Sequence, residues 1–328
     1  MAPKFVPFLS EGHSILLTGF TGFLGVPFLR TVEFIHKNWD LNVTFQILTR
    51  NQDNFLRNHP WLRLVPSFDV VECDLRYQRM DFMGVSHCIH GACPSAAETF
   101  AGLSATLKYD SIINSAKSVC DALSAKGMVK FIFLSSGAVY GDLEASRGTI
   151  SETDAIGLDP GNRNRELHTL GISKLAAEHF CDLRCEENNW TFHSLRLFSF
   201  IGPNIPQSVH YAAGNFLRFA QNNQSIQING NPKLKRSYLY VVDHALWLLC
   251  ALCMDGNQKI FNVGSDQAVT ILELANKVSR LSQKNLPVLT KQVPSSEGRL
   301  YIPNVDAFKK SYGVDVYTDL DRSIQLSI

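Results

Sequence analysis

The chain has 328 residues, 45% of them hydrophobic and 19% charged, a balance that supports a large buried core and argues against intrinsic disorder. With 31 Lys and Arg against 30 Asp and Glu, the formal net charge is +1. No basic field is available to hold nucleic acid or an anionic membrane, so any phosphate site must be built locally.

The apolar run after Lys4 is interrupted by Glu11 and is too short for the core of a signal peptide. The longest apolar stretch, Leu239 to Met254, is broken by Asp243 and His244 and reads as a buried strand and helix, not a membrane span. The eight cysteines are scattered through a long chain, which suggests reduced thiols in a cytoplasmic protein. Cys250 and Cys253 form a CxxC, but inside an apolar helical run with no second pair nearby. Core packing is the expected role, and no metal site is expected.

In chain order, Ser14–Thr18, Val43–Thr49, Asp69–Glu72, His87–His90, Lys130–Ser135 and Thr191–Leu197 read as strands rich in Val, Ile, Leu and Phe. Leu24–Asn38, Lys108–Lys126 and Ser173–Glu187 between them have helical periodicity. Strands that are apolar on both faces and alternate with helices predict an α/β fold with a doubly wound parallel sheet, a Rossmann arrangement. After Gly202-Pro203 the runs shorten and Gly, Pro and Asn become frequent. The expected division is a dinucleotide-binding domain of residues 1–202 plus about 238–263. A smaller α/β substrate lobe would comprise about 203–237 and 264–328. A ligand should sit between the lobes at the carboxyl ends of the strands.

The first strand runs into Gly19-Phe20-Thr21-Gly22-Phe23-Leu24-Gly25, and a helical pattern follows. Glycines here allow a tight turn, close backbone approach to a pyrophosphate and close helix–strand packing, with the helix N-terminus facing the negative charge. A glycine triplet alone is a weak signal; one placed between a first strand and a first helix is specific. The end of the second strand reads Ile47-Leu48-Thr49-Arg50-Asn51 and lacks the carboxylate that commonly binds the ribose hydroxyls of NAD. Arg50 could pair with the 2′-phosphate of NADP through its guanidinium fork, or it could be a solvated surface arginine. The pattern leans toward NADP without settling the choice.

The spacing GxxGxxG resembles the short-chain dehydrogenase/reductase superfamily, and further stretches in the right order resemble its extended branch, the NDP-sugar epimerases, dehydratases and reductases. Cys73-Asp74-Leu75 is similar to the "GDL" segment, whose aspartate contacts adenine in that family. His90-Gly91-Ala92 is similar to the "HxAA" strand end beside the cofactor. Ser135-Ser136-Gly137-Ala138-Val139-Tyr140-Gly141 resembles "SSxxVYG", and Gly171-Ile172-Ser173-Lys174 with Glu178 resembles "YgxSKlaaE". Leu195-Arg196 through Ser199 and Gly202-Pro203 resemble "LRxxNxYGP". Arg236 through Asp243 resemble "RDFIYVDD", and Phe261-Asn262 with Gly264 resembles "yNlGsg". The resemblance covers nearly the whole chain. It implies NAD(P) at Gly19, Thr21, Gly22, Phe23, Leu24, Gly25, Arg50, Asp74, Leu75, Ala92 and Lys174. It also implies a nucleotide-sugar substrate at Ser136, Ser199, Asn215, Arg236 and Arg299, where the two arginines would meet the diphosphate, and a homodimer packed through two helices.

One residue departs from the pattern. In that family a tyrosine four residues before the lysine shuttles the proton, the lysine lowers its pKa and binds the nicotinamide ribose, and a Ser or Thr orients the sugar. Ser136 and Lys174 occupy two of these places, but Leu170 occupies the third. Leucine cannot transfer a proton. His168 and Glu166 are the polar neighbours, and His168, with a free pKa near 6.5, is the candidate replacement. Ser136 with water or a substrate hydroxyl is the other route. Family 4,6-dehydratases follow the Ser or Thr with an acid/base pair, whereas Gly137-Ala138 follow here. Elimination therefore ranks below 4-epimerisation and 4-keto reduction. Leu170 also keeps open a different class of function, a non-catalytic NAD(P)-binding protein.

Overall fold

The fold is that of a computed structural model, which describes residues 5–78, 80–94, 98, 102–123, 127–141, 143, 148–158, 165–207, 211–291 and 300–328, with 165–167 as backbone only. Six strands follow the expected runs: β1 (His13–Thr18), β2 (Val43–Thr49), β3 (Phe68–Glu72), β4 (His87–His90), β5 (Lys130–Ser136) and β6 (Thr191–Leu197). They form one parallel sheet in the order β3-β2-β1-β4-β5-β6, and Ile260–Val263 adds a seventh parallel strand beside β6.

Both faces of this sheet are covered, as its unbroken apolar strands require. Ile15 and Leu17 of β1 point into one core with Phe28, Phe45, Ile47 and Trp247. Leu16, between them, points into the other with Phe131, Phe133, Ile112 and Cys181. The period of two along a strand sends neighbours to opposite faces, so each strand serves two cores. Helices α1 (Gly25–Asn38) and α5 (Val241–Cys253) pack together on the first face, and α2 (Ala105–Ala122) and α3 (Arg165–Glu187) on the second. A separate core of Phe216, Leu217, Ile226, Leu274 and Val278 is built around α4 (Ala212–Gln221) and α6 (Ile271–Leu281). A capping box holds the start of α6, where Thr270 accepts from the Glu273 N–H and Glu273 accepts from the Thr270 N–H.

The largest difference from the sequence expectation is α3, which begins at Arg165 and not near Ser173. Its first turn carries Arg, Glu and His with no apolar stripe, so periodicity alone does not reveal it. His168 and Leu170 are consequently helical rather than loop residues.

The strand order reverses between β1 and β4, which run on either side of the crevice where doubly wound sheets hold ligands. Thr18 closes this crevice at its base: its Oγ1 lies 2.7 Å from His90 Nδ1 and accepts the Ala92 N–H at 3.2 Å. The Gly91 N–H also donates to the Thr18 carbonyl at 2.8 Å.

Candidate active site

The glycine loop leaves β1 at the switch point. Gly19 has φ +81°, and a Cβ on it would stand 2.4 Å from the Gly91 carbonyl carbon. A Cβ on Gly25 would stand 2.2 Å from Phe20 Cα. The protein's own packing therefore demands these two glycines. Gly22 is different: it is exposed, and a Cβ there would meet nothing within 4 Å. The close approach that glycine permits at Gly22 is toward something outside the fold. Helix α1 begins just beyond it with no side-chain cap and no acidic residue in its first turn; the Val26 N–H donates to the Gly22 carbonyl at 3.0 Å and Pro27 has none, so the positive end of the helix and the Gly25 N–H are what it offers an anion. These features fit a dinucleotide pyrophosphate. Thr21 is exposed in the same loop, while Phe23 and Leu24 are half-buried and line the adjoining cleft.

The cleft measures about 690 Å³ and gathers residues far apart in sequence: Gly19 and Gly25, Ser136 from β5, Leu170 and Lys174 from α3, Ser199, Arg236 and Tyr301. Its size suits a small-molecule ligand. Ser136 caps the short 3₁₀ turn Gly137–Tyr140, and its Oγ accepts the Ala138 N–H at 3.1 Å. That turn lies close against α3, because a Cβ on Gly171 would come within 2.4 Å of the Ala138 carbonyl oxygen. Lys174 is 4% exposed. Its ammonium donates to the Leu134 carbonyl at 2.8 Å and lies 4.8 Å from the Phe133 ring centroid.

Beneath the cleft, Glu178 of α3 and Arg196 of β6 form a buried ion pair with N···O 2.6 Å, and Ser194 donates to the same carboxylate at 2.7 Å. The Arg196 guanidinium sits 4.9 Å from the Tyr140 ring, and the Tyr140 hydroxyl donates to Asn262 at 2.8 Å. Burial pushes the Tyr140 phenol up to about 12. These residues of the "SSxxVYG", "SKlaaE" and "yNlGsg" resemblances tie β5, α3 and β6 together below the site. Asp243 does similar work elsewhere, accepting the N–H groups of Tyr317 and Thr318 and the Thr318 hydroxyl at 2.8–2.9 Å.

The other expected residues divide. Ser199 lines the cleft, and Arg236 lines it with its guanidinium carbon 5.7 Å from the Tyr301 ring. Asp74 follows β3, and its carboxylate is held below the usual range chiefly by Arg76, which donates to it from both Nε and Nη2. Leu75 beside it is buried. Arg50 follows β2, half exposed, and pairs with Glu98. Asn215 lies on α4, where Arg218 donates to it at 3.4 Å, and it is not among the described residues lining the cleft. His168 is 2% exposed and does not line the cleft either, whereas Leu170 does. Arg299 and the side chain of Glu166 lie outside the described residues. Sequence reasoning missed Lys108, Tyr211 and Tyr301 on the cleft wall. No spacing signal marks them, since Tyr211 and Tyr301 lie far in sequence from the motifs they meet in the cleft.

A family model described as the NAD dependent epimerase/dehydratase family matches residues 15–264. The chain is 27% identical to the dTDP-4-dehydro-6-deoxyglucose reductase of Escherichia coli over 282 residues, 83% of each chain. It is 23% identical to a UDP-glucose 4-epimerase of Neisseria gonorrhoeae over 309 residues, 84% of each. Among solved structures, the UDP-glucose 4-epimerase of Thermotoga maritima with UDP-glucose superposes with a TM-score of 0.75 at 18% identity, covering 96% of this chain and 97% of that one. The UDP-glucuronic acid 4-epimerase of Bacillus cereus in complex with NAD gives 0.77 at 18% identity, covering 96% and 95%. The matched span runs from β1 through the seventh strand and takes in the glycine loop, Ser136, Lys174 and Arg236, so the chain belongs to the NAD dependent epimerase/dehydratase family.

Proposed function

We propose that this protein is an NAD(P)-dependent enzyme that modifies a nucleotide-activated sugar, by 4-epimerisation or 4-keto reduction. One observation carries the reading: a single cleft at the sheet's switch point joins an uncapped glycine-loop helix, Ser136, Lys174 and Arg236. The relatives' printed activities, a 4-keto sugar nucleotide reductase and UDP-glucose 4-epimerases, support the same chemistry.

When bound, the dinucleotide supplies the two-electron redox chemistry. This chain's residues do the rest. Gly22 and the first turn of α1 receive the pyrophosphate, with Thr21, Phe23, Leu24, Asp74, Leu75 and Ala92 around the cofactor. Lys174 offers a fixed ammonium to the nicotinamide ribose. Ser136 faces the reacting sugar oxygen with its hydroxyl, whose oxygen accepts the Ala138 N–H and keeps a second lone pair for the sugar. Arg236, with Arg299, answers the diphosphate charge locally in a protein of net charge +1, and Ser199 and Asn215 complete the proposed substrate set. We assign the cofactor to residues 1–202 plus about 238–263 and the substrate to the remainder. The lean toward NADP rests on Arg50, whose exposed guanidinium follows a β2 end without a carboxylate. No carboxylate occurs among the described residues lining the cleft, which disfavours water elimination and a 4,6-dehydratase.

We also propose a homodimer through α2 and α3, on which Leu107, Tyr109 and Leu183 are exposed; a monomer mass in light scattering would overturn it. The eight free thiols support a cytoplasmic setting, and no described helix is long and apolar enough to cross a membrane. The deciding experiment incubates the purified protein and NAD(P)(H) with UDP-glucose, UDP-glucuronic acid and a 4-keto-6-deoxy sugar nucleotide, reading products by NMR. Conversion at C4 is expected. A second reading, a non-catalytic NAD(P)-binding protein, draws on Leu170 facing the cleft and predicts cofactor binding without conversion.

A further inference from the structure

The cleft contains a phenol that no sequence motif marks. Tyr301 follows the segment of residues 292–299 and enters the cleft wall from the second lobe, with its flanks pinned. The Leu300 N–H donates to the Leu143 carbonyl at 3.3 Å, and the Ile302 carbonyl accepts the Ile150 N–H at 2.8 Å. Its ring packs against Phe198 with centroids 4.9 Å apart. The Ser136 hydroxyl faces the same cleft and lies near enough to the Tyr301 phenol to draw its pKa down. Ser136, Leu170, Lys174, Arg236 and Tyr301 all line the same space. At position 170 the helix presents only hydrocarbon to that space, while Tyr301 presents a phenol to it.

We propose that Tyr301 is the proton carrier that position 170 lacks, exchanging the proton of the reacting sugar hydroxyl through Ser136. The proposal rests on the sugar-nucleotide reading and deepens it. In the oxidising direction the sugar O–H bond breaks and its proton goes to Ser136 Oγ. The Ser136 proton passes to the Tyr301 phenolate, and the carbon's hydrogen leaves with both C–H electrons as a hydride, which the oxidised nicotinamide dinucleotide would accept. In the reducing direction the same transfers run backwards: the Tyr301 phenol delivers its proton through Ser136 to the carbonyl oxygen, and the carbonyl carbon receives the hydride that a bound reduced dinucleotide would supply. Atoms and charge balance either way.

The surroundings of the phenol suit the reducing direction. Burial raises its pKa above the ordinary value, Ser136 and Arg236 draw it down, and Tyr211 pushes it up. Lys174, Lys108, Cys93, Tyr238 and His244 are the other titratable groups among the described residues lining the cleft. A phenol kept protonated at neutral pH is ready to act as an acid, as reduction of a 4-keto group requires.

The test uses the full chain with ¹³C-labelled tyrosine rings, the Tyr301 signal being assigned by its loss in Tyr301→Phe. Without any cofactor, Ser136→Ala should move the ionisation of Tyr301 to higher pH, because the neighbouring hydroxyl that draws the phenol's pKa down is removed. In turnover, Tyr301→Phe should lower kcat by ~10²–10⁴-fold, the usual contribution of a proton-transfer group. Its affinity for UDP-glucose and NAD(P)H by calorimetry should stay unchanged. Adding Leu170→Tyr to Tyr301→Phe should restore turnover, which a purely structural role for Tyr301 would not allow. Native turnover in Tyr301→Phe, or a Tyr301 ionisation indifferent to Ser136→Ala, overturns the proposal alone. Absence of turnover by the native protein on every sugar nucleotide tried overturns the sugar-nucleotide reading and this proposal with it.

Discussion

Leu170 stands one helical turn ahead of Lys174 on α3, and both side chains line the cleft that Ser136 enters from β5. A phenol at position 170 would therefore project beside the ammonium with no change of backbone. Leu170→Tyr in the otherwise native protein is expected to raise kcat, because proton-transfer groups contribute ~10²–10⁴-fold and a second carrier adds a route. Stopped-flow absorbance of NAD(P)H at saturating sugar nucleotide measures it. A fall in rate with unchanged affinity would mean that the leucine fills space the substrate needs.

The same helix separates the rival proton carriers. His168 is 2% exposed and would have to leave its packing to reach the cleft. If it nevertheless carries the proton, His168→Ala costs ~10²–10⁴-fold in kcat with little change in KM. If Tyr301 carries it, the loss is confined to what a buried side-chain truncation does to stability, visible as a lower Tm and not as a shifted pH–rate profile. Measuring both quantities on one preparation decides between them.

The sheet was legible because its strands are buried on both faces: Val43–Thr49, His87–His90 and Thr191–Leu197 have the bounds that their apolar runs suggest. The start of α3 was not, since Arg165 through His168 carry no apolar stripe. The glycine loop was legible because local backbone needs dictate residue type at Gly19 and Gly25, whereas Ser136 and Lys174 were read from the motifs they share with the family. Tyr301 was invisible for the opposite reason. It stands 165 positions after Ser136 in the chain, and only the fold brings the two to one cleft.

Gly22→Asp should abolish cofactor binding and leave the fold intact. Open space meets a Cβ at that position, and an added carboxylate would occupy the anion's place at the start of α1. Gly25→Ala is the control with the opposite signature, because its Cβ would stand 2.2 Å from Phe20 backbone and the protein itself should lose stability. NAD(P)H fluorescence titration and thermal unfolding, run on both variants, separate a ligand glycine from a packing glycine. Unchanged affinity in Gly22→Asp would remove the loop from the site.

Arg50 is expected to favour NADP over NAD. Its guanidinium is 52% exposed and its partner Glu98 lies on the surface side, so a 2′-phosphate would compete for it with solvent and one carboxylate. Losing a charge-assisted contact costs ~1.5–3 kcal/mol, about tenfold or more in affinity for NADP, with NAD affinity unmoved. Calorimetry of Arg50→Ala against both dinucleotides reads the difference directly. An unaltered NADP/NAD ratio would leave Arg50 as a surface residue held by Glu98.

Acid stability should depend on histidines the fold keeps neutral. Burial depresses His244 to about 4 and His193 to about 4, and takes His87 and His90 to about 3. His244 is the cleanest case, being 1% exposed at an edge contact with Phe200, with neither ring nitrogen having a hydrogen-bond partner among the described residues. An unfolded imidazole takes its proton near 6.5. Between about 6.5 and about 4 the unfolded chain binds more protons than the native one, so stability falls as pH falls. The contribution is fully present above about 6.5 and is lost on the way down to the folded value. One pKa unit corresponds to ~1.4 kcal/mol. Replacing the imidazole with a side chain of similar size that cannot titrate removes this loss, so His244→Leu should shift the acid-unfolding midpoint to lower pH. Near neutrality it should be neutral or stabilising, because it also removes two buried polar atoms that have no partner. The transition will persist, since His87, His90 and His193 still titrate. Circular dichroism against pH, for the native protein and His244→Leu side by side, measures it. A midpoint that stays put or moves upward would mean that water or a charge reaches the imidazole in the folded protein.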